Sequence, residues 1–292
     1  MREVVLGFEL HNPLGFCTPL KGKWLDCMIK LIATDMDGTF LAEDGAYDQA
    51  RLAALLPKLT EKGIVFTVSS GRSLLAIDQL FEPFLDQIAV IAENGSVVQY
   101  QGEVLFADVM TQAQYVEVAE KILANPHYVE TGMVFSGQKA AYVLKGASQE
   151  YIQKTKHYYA NVKVVDGFED MENDTIFKVS TNFTGDTVLE GSDWLNQTLP
   201  YATAVTTGFD SIDIILKEVN KGFGMDHLCQ ALGIEPSETI AFGDNFNDYQ
   251  MLEFAGKAIA TENARPEIKA ISDQVIGHCN DGAVLTYLEG LV

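Results

Sequence analysis

From Met28 onward, short apolar runs that end in polar turns alternate with stretches whose apolar residues recur at helical spacing. "MIKLIATD" reads as a first buried strand. A helix of roughly Ala46 to Lys62 follows, with Leu52, Leu55, Leu56 and Leu59 on one stripe and Gly63 as its stop. Pro57 lies inside that stripe and is expected to kink or split the helix. A second buried strand, Ile64 to Ser70, leads into a helix from about Ser73, and a third spans Ile88 to Gly95. "SVVQYQGEVLF" alternates around Gln101-Gly102, as a hairpin does. Strand, helix, strand, helix, strand predicts a parallel sheet with helical crossovers.

The pattern changes near Val109. Through about Gly208 the chain mixes helices ("AQYVEVAEKILA") with amphipathic strands ("AAYVLKG", "TIFKVSTNF"), the mark of an inserted α+β unit. The parallel-sheet pattern is then expected to resume with "SIDIILK" as its next strand. A helix closed by Gly233, the buried strand "TIAFGD", the helix "NFNDYQMLEFAG", a short strand "KAIA" and two last helices complete it. The predicted class is α/β: a Rossmann-like, doubly wound parallel core formed by residues 28–108 and 209–292, with a cap at 109–208. Residues 1–27 lack the basic start and apolar run of a signal peptide. Met28 is read as the natural start, and the upstream segment as a mis-assigned start or a peripheral arm.

Ligands of open parallel sheets bind where strands end at their carboxyl side, so the residues at those ends matter most. Asp35 is the first residue past the buried run of the first strand, and Asp37 follows in a turn that Gly38 allows to be tight. Two carboxylates so close need a cation or a shared proton between them, and hard oxygen ligands suit Mg²⁺. A calcium loop does not fit, because Gly38 follows the second Asp directly and the twelfth loop position is Ala46. "AFGDNFND" repeats the device, placing Asp244, Asn247 and Asp248 after another buried strand. An Asp or Asn there also serves as an ordinary helix cap. "SSGR", Ser69 to Arg72, opens a helix at a third strand end, where a hydroxyl and free N–H groups suit an anion; a serine cap with a glycine turn is its plainer reading. Lys221 lies just before a helix, a place where lysines are usually solvated.

Charge sharpens this picture. The chain has 292 residues, 41 acidic against 20 basic, for a formal charge of −21. That balance disfavours nucleic acid and anionic membranes as partners, and it makes an anion site depend on local positive charge. The apolar fraction, 47%, is ample for a core. The four cysteines, Cys17, Cys27, Cys229 and Cys279, form no zinc or redox spacing and fit free thiols in a reducing cytosol.

In order, the motifs are a strand-end DxD, a strand-end Ser-Gly, a Lys before a helix and a strand-end GDxxND. This series resembles the haloacid dehalogenase (HAD) superfamily of phosphohydrolases. More narrowly it resembles the Cof-type branch, subfamily IIB, whose large C2-type cap lies between the second and third motifs. The resemblance runs from Met28 to the C-terminus. "ENARPEIKAISD" and "NDGAVLTYLEGL" are similar to that branch's closing segments, although "ATENA" stands where a Gly commonly precedes Asn-Ala.

The resemblance implies roles. Asp35 would be the nucleophile, forming an aspartyl-phosphate. Asp37 would be the general acid and then the base, which requires surrounding negative charge to keep it protonated near neutral pH. Asp35, the Asp37 backbone carbonyl, Asp244 and Asp248 would hold Mg²⁺. The Met36 amide, Ser70, Gly71, Lys221 and Asn247 would hold the phosphoryl oxygens, with Asn94 and Arg72 as candidate substrate contacts. Tyr142, Tyr151, Tyr158, Tyr159 and Phe177 read as cap aromatics, more simply as core than as substrate lining. The function implied is a cytoplasmic, Mg²⁺-dependent phosphatase, monomer or homodimer, acting on small phosphorylated metabolites such as sugar phosphates or phosphorylated cofactors. The alternatives are a phosphosugar mutase or phosphotransferase on the same scaffold, and a non-catalytic regulator that senses a phosphometabolite.

Overall fold

The computed structural model describes residues 28–129, 132–208 and 210–292. The N-terminal segment, with Cys17 and Cys27, lies outside the described residues. Among them the chain forms fourteen strands. These are β1 (Leu31–Asp35), β2 (Val65–Ser69), β3 (Ala89–Ala92), β4 (Val97–Tyr100), β5 (Glu103–Ala107), β6 (Met133–Gly137), β7 (Ala141–Leu144), β8 (Val162–Val165), β9 (Ile176–Asn182), β10 (Ala202–Gly208), β11 (Ser211–Leu216), β12 (Thr239–Gly243), β13 (Lys257–Ala260) and β14 (Gln274–Val275). The helices are α1 (Gln49–Glu61), α2 (Leu74–Leu80), α3 (Gln112–Ala124), α4 (Gln149–Tyr158), α5 (Val188–Thr198), α6 (Lys221–Leu232), α7 (Tyr249–Phe254), α8 (Pro266–Ile271) and α9 (Ala283–Glu289).

One sheet runs β14-β13-β12-β1-β2-β3-β4-β5. It is parallel from β14 to β3, and the β4–β5 hairpin extends it antiparallel. The hairpin turns at Gln101 (φ 51°) and Gly102 (φ 79°), the pair of left-handed residues a two-residue turn needs. The central strands are buried on both faces. Ile32, Val68, Val90, Ile240 and Phe242 pack with α1, α2 and α9, while Leu31, Ala33, Ile91, Ala241 and Ala258 pack with α6, α7 and α8. That is the doubly wound α/β arrangement expected of continuous apolar strands.

β1 sits centrally, in register with β12 on one side and β2 on the other. The strand ends that carry Asp35, Ser69 and Gly243 therefore lie side by side. This adjacency follows from topology alone, since residues some 170 to 210 positions apart become neighbours only because β12 pairs with β1.

The second sheet runs β10-β11-β9-β6-β7-β8 and is antiparallel except for β7–β8. Two sequence expectations change here. "SIDIILK" does not resume the parallel sheet. As β11 it pairs antiparallel with β9 and β10 in the second sheet, so the parallel pattern returns only with α6 and β12. An apolar run buried on both faces does not reveal which sheet it joins. Pro57 does not split α1, which runs unbroken from Gln49 to Glu61. Its ring lies on the solvent side, where water can serve the carbonyl it leaves unbonded.

Candidate active site

The turn after β1 is built around glycine. Gly38 has φ +84°, and a Cβ there would stand 2.7 Å from Asp244 Oδ2. The missing side chain lets the first motif close on the last. Thr39 Oγ1 donates to Asp244 Oδ1 (3.1 Å), and Asn263 Nδ2 donates to the Gly38 carbonyl (2.6 Å). Neither Thr39 nor Asn263 stood out as functional in the sequence, although Asn263 lies in the segment "ENARPEIKAISD".

Lys221 is the first residue of α6, which Asn220 caps by accepting from the Phe223 N–H at 2.9 Å. The helix start aims the ammonium group inward. Its side chain is fully buried and donates to Asp35 Oδ1 and, at 2.5 Å, to Asp248 Oδ1. Asp248 Oδ2 accepts from the backbone N–H groups of Asp244 (2.9 Å) and Asn245 (3.0 Å), fixing the loop after β12. So Asp35, Asp244, Asp248 and Lys221, predicted from three separate motifs, form one cluster.

Three carboxylates share one ammonium. Burial first, then the Asp248 carboxylate, push the Asp35 carboxyl well above its usual range, against the pull of Lys221. Burial and Asp248 likewise push Asp244 up to about 6. Burial alone would discharge Lys221, but Asp248 and Asp35 outweigh it and hold the ammonium charged.

The cluster fits a divalent cation. Oxygens of Asp35, Asp244 and Asp248 lie within 4.8 Å of one another. Asp35 Oδ2 is buried without a hydrogen-bond partner, an orphan whose desolvation a metal ligand bond would offset. All the donors are hard oxygens, the set suited to Mg²⁺.

The other predicted residues take varied positions. Met36 is buried at the turn. Ser70 is buried, and its Oγ accepts from the Arg72 N–H at 3.1 Å. Gly71 is constrained, since a Cβ would meet Asn94 Oδ1 at 2.7 Å. Asn94 is buried with φ 58° and donates to Asp213 Oδ2 at 3.3 Å. Asn247 is exposed, in the short turn between β12 and α7.

Asp37 departs from expectation. Its carboxylate is exposed and lies outside the carboxylate cluster; the Arg72 fork holds it at 2.9 Å and 2.6 Å. The charged group that touches it is positive, where surrounding negative charge was expected. Arg72 also lines an open cleft of about 800 Å³ between α2 and the end of α4, with Lys156, His157, Tyr158 and Tyr159 on its far wall. Of the five cap aromatics, Tyr142, Tyr151 and Phe177 are buried, and Tyr158 and Tyr159 face this cleft.

Residues 32–288 match the haloacid dehalogenase-like hydrolase family. The chain is 32% identical over 262 residues to the 5-amino-6-(5-phospho-D-ribitylamino)uracil phosphatase YbjI of Escherichia coli K12, covering 89% of this chain and 95% of that protein. Its fold is similar to that of SMU.1108c from Streptococcus mutans UA159, with a TM-score of 0.82, 26% identity, and coverage of 90% of this chain and 98% of that one. It is also similar in fold to the HAD subclass IIB sugar phosphatase BT4131, with a TM-score of 0.73, 20% identity, and coverage of 90% and 98%. Among the described residues no helix is long and apolar enough to cross a membrane. A family match over nearly the whole described chain, on a sheet that brings the acidic motifs to one point, makes this protein a member of the haloacid dehalogenase-like hydrolases.

Proposed function

We propose that this hydrolase is a Mg²⁺-dependent phosphatase that transfers the phosphoryl group of a small phosphomonoester to Asp35 and then to water. The observation that carries the reading is the cluster of buried Asp35 and Asp248 with half-buried Asp244, closed by Lys221. Asp35, Asp244 and Asp248 would hold the metal, together with the Asp37 carbonyl. A bound Mg²⁺ supplies positive charge beside the phosphoryl oxygens, which an acidic chain otherwise lacks.

The remaining steps belong to the side chains. Asp35 forms a bond to phosphorus as the bond to the leaving oxygen breaks. Asp37, turned in from Arg72, gives its proton to that oxygen. Water then attacks phosphorus, Asp37 takes up the water's proton, and inorganic phosphate leaves Asp35. Ser70, Lys221, Asn247 and the N–H groups of Met36 and Gly71 would hold the oxygens in flight, preorganised donors of the kind that stabilise phosphoryl transfer. Asn94 and Arg72 would border the substrate.

The second sheet, with its helices, would act as the cap, and the cleft beside Arg72 would receive the leaving group. The relative that acts on a phosphorylated ribitylaminouracil supports a phosphosugar-like or cofactor-like leaving group. The two described cysteines, Cys229 and Cys279, are unpaired, in keeping with work in the cytoplasm. A phosphate-release screen over phosphomonoesters tests the reading. Release is expected with Mg²⁺ and not after chelation; release that survives chelation, or none from any substrate, would contradict it.

A further inference from the structure

A second buried charge cluster lies where the two sheets meet. Lys178 of β9 is 2% exposed, and its Nζ donates to Asp213 Oδ2 (2.9 Å) and to the Gly71 carbonyl (2.6 Å), with Glu93 Oε2 at 3.2 Å. Glu93 Oε1 accepts from Ser136 Oγ at 2.6 Å, and Asp213 Oδ1 accepts from Ser180 Oγ at 2.6 Å. Lys178, Ser136, Ser180 and Asp213 belong to the second sheet, whereas Gly71, Glu93 and Asn94 belong to turns at the ends of β2 and β3. Burial alone would discharge Lys178, but Asp213 and Glu93 hold it protonated.

An assembly of one cation and two anions is seldom the most stable filling for a buried site. Its use is in what it fixes. The Gly71 carbonyl and the Arg72 N–H are the two ends of one peptide unit, and a trans peptide points them in opposite directions. Lys178 holds the carbonyl end, while the N–H end donates to Ser70 Oγ at 3.1 Å. A serine oxygen that accepts in this way keeps its own proton available to another acceptor. The turns are tied further by Asn94 N–H to the Ser70 carbonyl (3.0 Å) and Glu93 N–H to the Arg72 carbonyl (3.0 Å). Glu93 and Asn94 sit at φ 53° and 58°, a conformation that persists only where surroundings enforce it.

We propose that Lys178 is a positioning residue: from the second sheet it locks the Gly71–Arg72 peptide, so that the Ser70 hydroxyl donates to a phosphoryl oxygen. The proposal rests on the phosphatase reading of the Ser70 site. It makes phosphate affinity depend on a residue that never touches phosphate, and on the second sheet being seated against the first.

The test is a cycle read by the Kd of inorganic phosphate, measured by calorimetry with Mg²⁺ present. Lys178→Met alone strands two buried carboxylates and is expected to unfold the chain. The neutral triple variant K178M/E93Q/D213N removes all three charges together, and its melting temperature reports whether it is folded. S70A and the triple variant are each expected to weaken phosphate binding about ten-fold. If Lys178 acts through Ser70, combining them weakens binding no more than about two-fold beyond the worse of the two. A folded triple variant with wild-type affinity overturns the proposal, as does a combined variant in which the two losses multiply. A wild-type protein that neither binds phosphate nor releases it from any phosphomonoester overturns the phosphatase reading itself.

Discussion

The carboxyls of buried Asp35 and half-buried Asp244 are both pushed toward protonation by desolvation and by Asp248, and this separates their effects on stability from their effects on chemistry. Asp35→Asn is expected to abolish phosphate release and leave the metal-free fold at least as stable, because the change relieves repulsion. A variant melting well below wild type would contradict this. For Asp244 the sign is explicit. A carboxyl raised to about 6 in the folded state contributes stability that is fully present below the unfolded value of about 4 and is lost as pH rises through about 6. Metal-free Asp244→Asn should therefore exceed wild type by about 2 kcal/mol above pH 7 and match it near pH 4. With Mg²⁺ the order should reverse. Mg²⁺ affinity of the wild type should also fall about ten-fold per unit of pH below 6, as the ligand takes up a proton; a flat profile in titration calorimetry would contradict this. At this scale the sequence shows Asp35, Asp244 and Asp248 well, because strand ends in a parallel sheet converge by rule, whereas Lys221, ahead of a helix, is singled out only by the family resemblance. It does not show Lys178, Glu93 and Asp213. Lys178 reads as an ordinary polar position on an amphipathic strand, and its partners lie 35 or more positions away. The Arg72–Asp37 pair is hidden for the same reason.

Helix α6 shows how an element places a side chain. Its start rests against the turn after β3, where a Cβ on Gly95 would fall 2.1 Å from the Asn220 carbonyl oxygen and where Gly95 has φ +107°. Gly224, one turn into the helix, leaves no room either: its Cβ would meet Ile91 Cγ2 at 2.5 Å. This close seating delivers Lys221 to Asp35. Gly95→Ala is expected to destabilise the protein by more than about 3 kcal/mol, through backbone strain and a clash with main chain that cannot step aside. A denaturant midpoint unchanged from wild type would contradict that. Periodicity marks α6 and its glycine stop plainly, yet it does not mark the turn the helix leans on. The same limit explains β11, whose residues alternate between two covered faces of the second sheet. Ile212 and Ile214 join that sheet's apolar cluster, while Asp213 turns to Lys178. Its composition matches that of a central parallel strand, and only pairing distinguishes the two.

Across the whole molecule, a chain of formal charge −21 has to receive a phosphorylated substrate. The fold supplies one lysine sunk among three carboxylates at the ends of β1 and β12, a site that a divalent cation would complete. The second sheet is joined to the same strand ends through Lys178, so the α/β core legible from apolar runs and the inserted unit legible from a change of pattern meet at the proposed phosphate cradle. How the two units seat on each other was not legible, because side chains distant in sequence set it. The central claim is that Asp35 takes the phosphoryl group. The most direct measurement is to incubate the protein with a phosphomonoester it hydrolyses and Mg²⁺, quench in acid and map the phosphorylated peptide by mass spectrometry. The predicted result is a phosphoryl group on the peptide containing Asp35, absent without Mg²⁺ and absent in Asp35→Asn. Phosphate release that continues in Asp35→Asn, or a label carried by another residue, would contradict it.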